Sequence, residues 1–331
     1  MKVTAHANIN IALIKYWGKR EEKLILPYNS SLSLTLADYG TTTTIEFNKK
    51  YKKDEFVLDG KRYLKGDEYN RVVGQLNLVR KQAKFKSKAK IVSMNKVKTA
   101  AGLASSASGA AALAASASKA AGLNLSSKNL SIMARQGSGS SARSILGGFV
   151  KWTMGVKKDG SDSFAKQWFD ENYWPQLRVL AVVVSFFEKK VKSRAGMRQT
   201  VATCPYYKSW LKTSGQDLIE IKKAIKAKDF VKMGEISEHN FLKLHALMMT
   251  TKPPIIYWQP KSVELIHLVQ TWRKEGLPVY LTMDAGPQVK ILCLQKDIKA
   301  IQARLKKISG ICEVIELKLG KGVEYLDKHL F

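Results

Sequence analysis

The sequence predicts an α+β protein in two halves, and three observations carry that reading. Residues 2–12 alternate loosely and 41–47 are rich in β-branched residues, both marks of strands. An alanine-rich run at 108–121 follows a loop of Gly, Ser and Ala and has the composition of a helix. Residues 177–187 form a nearly continuous apolar run, rich in valine, as expected of a buried central strand; a mainly helical stretch over 195–247 comes after it.

The remaining elements follow in order. Residues 55–58 with the turn Asp59-Gly60 suit one arm of a hairpin. Helical spacing of Val73, Leu76 and Val79 predicts a helix over 70–84, and a strand over 90–97 then delivers the chain into the Gly/Ser loop. A helix is expected over 125–135 with Ser126 or Ser127 as its N-cap, since a hydroxyl there accepts from an unpaired amide of the first turn. A second Ser/Gly-dense loop (137–148) and a strand (149–154) follow. Within the helical stretch, 217–225 and 229–247 have the best spacing, and Pro253-Pro254 ends it. A helix (263–275), two strands (279–283 and 288–295) and a helix (298–308) complete the chain. The halves are expected at 1–176 and 177–331.

At 331 residues the chain can bury a substantial core. No apolar run approaches the roughly 20 residues that span a bilayer, and Met1-Lys-Val-Thr-Ala-His6 leads straight into a strand without the zones of a signal peptide. A soluble cytoplasmic protein with no membrane partner is expected. Cys204, Cys293 and Cys312 lack metal-ligand spacing and suit reduced, buried thiols. The net charge of +29 would attract polyanions. The lysines are nevertheless spread along the chain without interleaved aromatics, which suits a solvated surface better than a nucleic-acid-binding module.

The most informative segment is Asn95-Lys-Val-Lys-Thr-Ala-Ala-Gly-Leu-Ala-Ser-Ser-Ala-Ser-Gly109. Small residues let backbone amides close on a ligand, and the helix end behind them adds about half a positive charge, which favours phosphate. A tight turn before an alanine-packed helix is the alternative. A Walker A loop is excluded, because G-x-x-x-x-G-K-[ST] is absent.

Thr99-Ala-Ala-Gly-Leu-Ala-Ser-Ser-Ala-Ser108 resembles the phosphate-binding motif of the GHMP kinases, and more narrowly that of their mevalonate diphosphate decarboxylase branch. Four further blocks are similar to signatures of the same branch and run in its order. They are Asn10-Ile-Ala-Leu-Ile-Lys-Tyr-Trp-Gly-Lys19, Arg135-Gln-Gly-Ser-Gly-Ser-Ser-Ala-Arg-Ser144, Pro253-Pro-Ile-Ile-Tyr-Trp258 and Met283-Asp-Ala-Gly-Pro287. The resemblance implies the two-half GHMP fold: an N-terminal mixed sheet with helices, a C-terminal α/β sandwich, and an active-site cleft between them. It also implies ATP and Mg2+ as cofactors, 5-diphosphomevalonate as substrate, and a homodimer.

Site residues carry over position by position. Asp284, by its residues alone a turn former as readily as a cleft carboxylate, matches the family's Asp at the substrate 3-hydroxyl. Tyr16, Trp17, Gly18 and Lys19, otherwise a packed turn with a solvated lysine, match the substrate site, with Lys19 neutralising carboxylate charge. An ammonium near Asp284 would keep it ionised. Arg143, otherwise a surface cation, matches the ligand of the substrate carboxylate, so Asp284, Lys19 and Arg143 are the implied catalytic set. Ser138, Gly139 and Ser140 match substrate contacts; Ser193, Arg194, the backbone of Met197 and, more loosely, Arg71 match the diphosphate pocket. Gly102, Ala104, Ser105, Ser106 and Ser108 match the nucleotide loop, and Ser93 and Asn95 the adenosine end. Lys98 departs from the family's proline and Ala195 from an acidic residue frequent in bacterial members. Metal ligands are not evident, and the loop serines are candidates. The five histidines look non-catalytic, His245 being a helix-packing residue.

The implied activity is ATP-dependent decarboxylation of 5-diphosphomevalonate to isopentenyl diphosphate. A decarboxylase of the monophosphate, or another GHMP small-molecule kinase, is the near alternative. A polyanion-binding protein without turnover is the distant one.

Overall fold

The structure, a computed structural model, describes residues 1–96, 105–187 and 189–331. The first half opens with β1 (Lys2–Ile14), a short ribbon of β2 (Lys19–Glu21) and β3 (Leu26–Pro27), and the long β4 (Ser31–Asn48). The hairpin β5 (Glu55–Leu58) and β6 (Lys61–Tyr63), the helix α1 (Asp67–Ala83) and β7 (Lys88–Asn95) come next. Then follow α2 (Ser105–Ala120), α3 (Ser127–Gly137), a 3-10 segment over Gly139–Ile145, β8 (Phe149–Trp152) and β9 (Ala165–Phe169). The second half contains β10 (Leu177–Val183), α4 (Ser193–Thr203), α5 (Tyr207–Lys226), α6 (Phe230–Met249), α7 (Pro260–Lys274), β11 (Tyr280–Thr282), β12 (Val289–Leu294), α8 (Ile298–Leu305), β13 (Glu313–Lys318) and β14 (Glu324–Leu326).

The strands of the first half form a mixed eight-stranded sheet in the order β14-β1-β4-β7-β5-β6, with β8 and β9 continuing from the early part of β4. Those of the second form an antiparallel sheet, β11-β12-β10-β13. The expected α+β class and the division into a mixed and a helix-covered sheet are therefore what the chain adopts. The last strand departs from simple halves: β14 returns to pair with β1, at Thr4, Ala5 and His6.

Residue alternation explains how the sheets join. Along β10, Leu177, Val179, Ala181 and Val183 face one core, while Leu180, Val182 and Val184 face another. The valine-rich run is continuous because both of its faces are buried. The first of these cores also takes Ile9, Ile11 and Leu13 of β1, Leu32, Leu34 and Leu36 of β4, and Ile221 and Ile225 of α5. It is shared by both halves.

A register shift between Asn8 and Ile9 changes the parity of β1. Before it, the odd residues Ala5 and Ala7 face the helices; after it, Ile9, Ile11 and Leu13 face the second half. Asn10 is thereby turned toward the 3-10 segment, where its Nδ2 donates to the Ser144 hydroxyl at 2.7 Å. On the helical side, Ala107, Ala111, Ala114, Ala115 and Ala117 of α2 are fully buried, and their small side chains let this helix lie close on β1 and β4. Ser126 caps α3, its hydroxyl accepting from the Asn129 amide at 3.3 Å.

Strands at 165–169, 313–318 and 324–326 were outside the sequence-based expectations; all three are short, and 313–318 alternates between exposed and buried positions. Cys204 and Cys293 are buried free thiols, but Cys312 is exposed, contrary to the expectation of three buried ones. Among the described residues no helix is long and apolar enough to cross a membrane.

Because the core holding Leu13 spans both sheets, the halves should unfold together. Far-UV and near-UV signals followed through a urea titration should coincide. Leu13→Ala should lower the stability of that single transition by about 2–5 kcal/mol, the cost of a large-to-small change in a packed core.

Candidate active site

β11 ends at Thr282, and the chain then turns through Met283 and Asp284 into a loop. A third of the Asp284 side chain is exposed, whereas the side chains of its two lysine partners, Lys15 and Lys290, are 2% exposed. Lys15 Nζ lies 2.9 Å from Asp284 Oδ1 and Lys290 Nζ lies 3.7 Å from Oδ2. Each carboxylate oxygen thus faces its own ammonium.

The lysines arrive there by strand geometry. Lys15 immediately follows β1 and packs its ammonium back on the Ala12 carbonyl at 2.7 Å. Lys290 is opposite Thr282 in the β11–β12 pairing, and its neighbours Val289 and Ile291 point to the other core. Loss of surrounding water pushes Asp284 upward, but Lys15, Lys290 and Arg143 more than reverse this and hold its carboxyl well below the usual carboxylate range. Burial brings the Lys15 ammonium down to about 8 despite the attraction of Asp284. Burial likewise lowers Lys290.

Arg143, on the 3-10 segment, is buried beside them. Its Nη1 donates to Ser31 Oγ at 2.5 Å, and Nε and Nη2 donate to Asn10 Oδ1 at 3.3 and 3.1 Å. Burial pulls it down to about 10, so it remains a cation at neutral pH. These are all neutral partners. The Tyr16 hydroxyl nearby is buried without a hydrogen-bond partner, and burial raises its pKa far beyond the usual phenol range. Gly139 is where a Cβ would strike Tyr16 and Trp152 at 2.9 Å, so this glycine lets the Ser/Gly segment close over the tyrosine.

Several expected site residues have other duties. Lys19 pairs with Glu22 at 2.6 Å, on the β2–β3 ribbon, and the ammonium at Asp284 belongs to Lys15 instead. Trp17 is buried in an apolar cluster with Met197, Tyr207, Trp210 and Ile255, which makes its side chain core rather than a ligand contact. Gly18 has φ +94°, and a Cβ there would lie 2.0 Å from the Tyr207 hydroxyl, so its glycine is demanded by packing.

Ser138 and Ser140 are half-buried beside Gly139, and the Ser140 carbonyl accepts from Asn10 at 3.1 Å. Arg194 Nη2 donates to the Gly137 carbonyl at 2.7 Å. Arg71 on α1 pairs with Glu68, while its Nε is buried without a partner. Burial first, and repulsion from Arg194 second, lower the Arg71 pKa. Two guanidiniums from different halves therefore converge, an arrangement that suits an anion between them. Ser193 and Arg194 begin α4, whose first amides are free; Met197 lies a turn further in, where its N–H belongs to the helix ladder. The amides of residues 193–195 are the ones at this helix end without an acceptor inside the helix.

At the start of α2, Ser105 is half-buried and Ser106 exposed, at the positive end of a 16-residue helix. Ser108 instead faces the sheet, bonded to Thr41 Oγ1 at 2.8 Å and to the Ser105 carbonyl at 3.1 Å, so its hydroxyl is not free for a nucleotide. Ser93 Oγ is bonded to Thr43 Oγ1 at 2.9 Å, and Asn95 is held by Asp59 and Thr41. Gly102, Ala104 and Lys98 lie outside the described residues.

Sequence reasoning missed Lys15, Lys290 and also Lys189, whose Nζ donates to Ser193 Oγ at 2.9 Å and to the Ala285 carbonyl at 2.7 Å, tying α4 to the Asp284 loop. His245 stacks on Trp258 at 5.0 Å between ring centroids, and its Nε2 lies 3.2 Å from the Asp284 carbonyl. Burial drives its pKa down to about 3, so it is a neutral donor that packs as expected and also holds the loop. Among the described residues no group of three acidic, histidine or cysteine side chains could hold a metal.

The profile of the diphosphomevalonate decarboxylase-like N-terminal domain matches residues 7–165, and that of the mevalonate 5-diphosphate decarboxylase C-terminal domain matches 179–324. The chain belongs to the diphosphomevalonate decarboxylase family. It is 41% identical to the diphosphomevalonate decarboxylase of Danio rerio over 88% of this chain and 76% of that one. It superimposes on the mevalonate diphosphate decarboxylase of Staphylococcus aureus with a TM-score of 0.93 at 40% identity, covering 98% of each chain. A structure of MDDEF in complex with MVAPP, AMPPCP and magnesium gives a TM-score of 0.92 at 44% identity, covering 99% of each.

With Lys15 near 8, kcat/KM of this family member should fall on the alkaline side with a limb close to pH 8. Lys290→Met removes a like charge that lowers Lys15, so the limb should move to higher pH. A pH–rate profile of both proteins checks the sign; a limb that stays in place would separate it from Lys15.

Proposed function

We propose that this chain is an ATP-dependent diphosphomevalonate decarboxylase that converts (R)-5-diphosphomevalonate and ATP into isopentenyl diphosphate, ADP, phosphate and CO2. The observation that carries the reading is the Asp284 carboxylate, partly exposed and paired with Lys15 and Lys290, with Arg143 beside it. Family membership supports the substrate, as does the binding of MVAPP together with AMPPCP and magnesium by a solved relative.

In this reading the tail diphosphate lies between Arg71 and Arg194 at the free amides of α4, with Ser193 alongside. Among the described residues Arg143 hydrogen-bonds to the neutral Asn10 and Ser31, and the substrate carboxylate would supply a directly bonded anion to this buried cation. The Tyr16 hydroxyl is placed to donate to the same group. Asp284 accepts from the 3-hydroxyl and aims its oxygen at the γ-phosphorus. Its low proton affinity makes it an orienting anion, with the proton leaving late toward the phosphoryl oxygens. Lys15 and Lys189 offset charge that gathers on the transferring group.

Once O3 carries the phosphoryl group, the C3–O bond breaks and phosphate leaves with the electron pair. The C1–C2 bond then breaks, CO2 departs, and that pair becomes the C2–C3 double bond. In this reading the Asp284 carboxylate lies on the side of the electron-poor C3.

For ATP, the helix end at Ser105 and Ser106 suits the phosphates. A Mg2+ carried on the nucleotide would take a loop serine, Ser105 or Ser106, as its ligand from this helix end. The ion would neutralise phosphate charge during transfer.

The purified protein should release ADP, phosphate and CO2 in equal amounts from the diphosphate substrate; a stable phosphorylated acid without CO2 would mark a kinase. Asp284→Asn should lower kcat by roughly 100- to 10,000-fold while leaving the affinity for a non-hydrolysable ATP analogue nearly unchanged. Retention of most of kcat would reduce Asp284 to a turn residue. Arg194→Ala should raise KM for the diphosphate substrate by roughly 10- to 150-fold, the worth of one charge-assisted contact, with a far smaller effect on KM for ATP. Equal effects on both substrates would put the diphosphate elsewhere.

A further inference from the structure

We infer that Asn240 is a positioning residue for Lys15, acting at the end of a hydrogen-bonded relay that starts from Lys243 and Asp217. The inference rests on the reading in which Lys15 and Asp284 serve phosphoryl transfer. Lys15 is the first residue past the end of β1, whose last paired residue is Ile14, opposite Leu32. Its N–H is buried beyond the ladder and needs another acceptor. Asn240, fully buried in the middle of α6, supplies it: Oδ1 accepts from the Lys15 amide at 2.8 Å. Asn29 holds the other side, its Nδ2 donating to the Lys15 carbonyl at 2.7 Å.

The Asn240 amide has one possible orientation. Its Nδ2 donates to Asp217 Oδ2 at 2.6 Å, and a carboxylate can only accept. The same oxygen accepts from Lys243 Nζ at 2.6 Å, which holds the Asp217 carboxylate in place. Cation, carboxylate, amide and peptide N–H form a directional chain from the surface of α5 and α6 to the backbone of Lys15. Its ammonium is set by that backbone, 2.9 Å from Asp284 on the opposite element. A peptide free to shift by an ångström would take the ammonium out of hydrogen-bond reach.

Steady-state kinetics and crystal structures of the full chain with N240L, N240D, D217N and N240D/D217N test the relay. N240L should lower kcat by about 10- to 100-fold, the cost of a small misplacement in a reacting site, with KM for ATP within about 2-fold of wild type. N240D should be at least as impaired, because two carboxylates then face one another. Adding D217N should recover most of the loss, since the new carboxylate still accepts from Lys15 and the new amide at 217 donates to it. In the N240L crystal Lys15 Nζ should have left Asp284, and in the double variant it should have returned. A kcat for N240L near wild type, a double variant no better than N240D, or an unmoved Lys15 in N240L would overturn the relay. Should the wild-type chain itself release no CO2 from diphosphomevalonate, the assigned reaction fails, while the crystal structures still decide the relay.

Discussion

Among the described residues three cations sequestered from water gather about one carboxylate: Lys15, Lys290 and Arg143 about Asp284. Removing a charge from water is costly, and the cost is met only in part when three positive groups share one negative partner. The surplus is visible in the chemistry of each group. Both lysines and the arginine are pulled down, and Asp284 is held low against the upward push of its surroundings. A site with this imbalance is completed by an anion, and a substrate with a carboxylate and a diphosphate matches it. The Arg71–Arg194 pair repeats the pattern on a smaller scale, where like charges from two elements face each other.

The fold is arranged to hold this imbalance. Both lysines enter from strands whose hydrophobic neighbours bury them, Lys15 from the end of β1 and Lys290 from the start of β12. The shared core of β1, β4 and β10 fixes the strands against each other, so the distance from Lys15 to Asp284 is set by packing across the two halves. The parity change in β1 at Asn8–Ile9 is part of the same arrangement. It sends the apolar side chains to the shared core and frees Asn10 to hold Arg143. Stability and site geometry depend on the same contacts.

Much of this was legible in the sequence, and the failures have physical causes. The strand expected over 177–187 and found at Leu177–Val183, the alanine helix and the Ser126 cap declare themselves through local pattern and chemistry, which one segment contains in full. Asp284 and Arg143 were placed through family resemblance, and the structure brings them together. The sequence reading named Lys19 and passed over Lys15, four residues earlier in the same motif, because only the tertiary structure tells which ammonium reaches a residue 269 positions away. A signal was present: Lys15 follows the apolar run Ile11-Ala-Leu-Ile14, and Lys290 interrupts Val289-Lys-Ile-Leu-Cys-Leu294, and a lysine inside a buried strand needs an anion. At Trp17, Gly18 and Ser108 the sequence could not separate a ligand contact from packing, because packing demands the same small or aromatic residues that a ligand would.

The surplus positive charge is tested most directly by the protons that accompany substrate binding. Calorimetry of diphosphomevalonate binding near pH 8, repeated in buffers of different ionisation enthalpy, counts them. Lys15 in the free protein is partly deprotonated there, and an arriving anion favours its charged form. The account predicts net proton uptake near pH 8 that fades toward pH 6 and is absent in Lys15→Met. Binding without uptake, or uptake that persists undiminished in Lys15→Met, would contradict it.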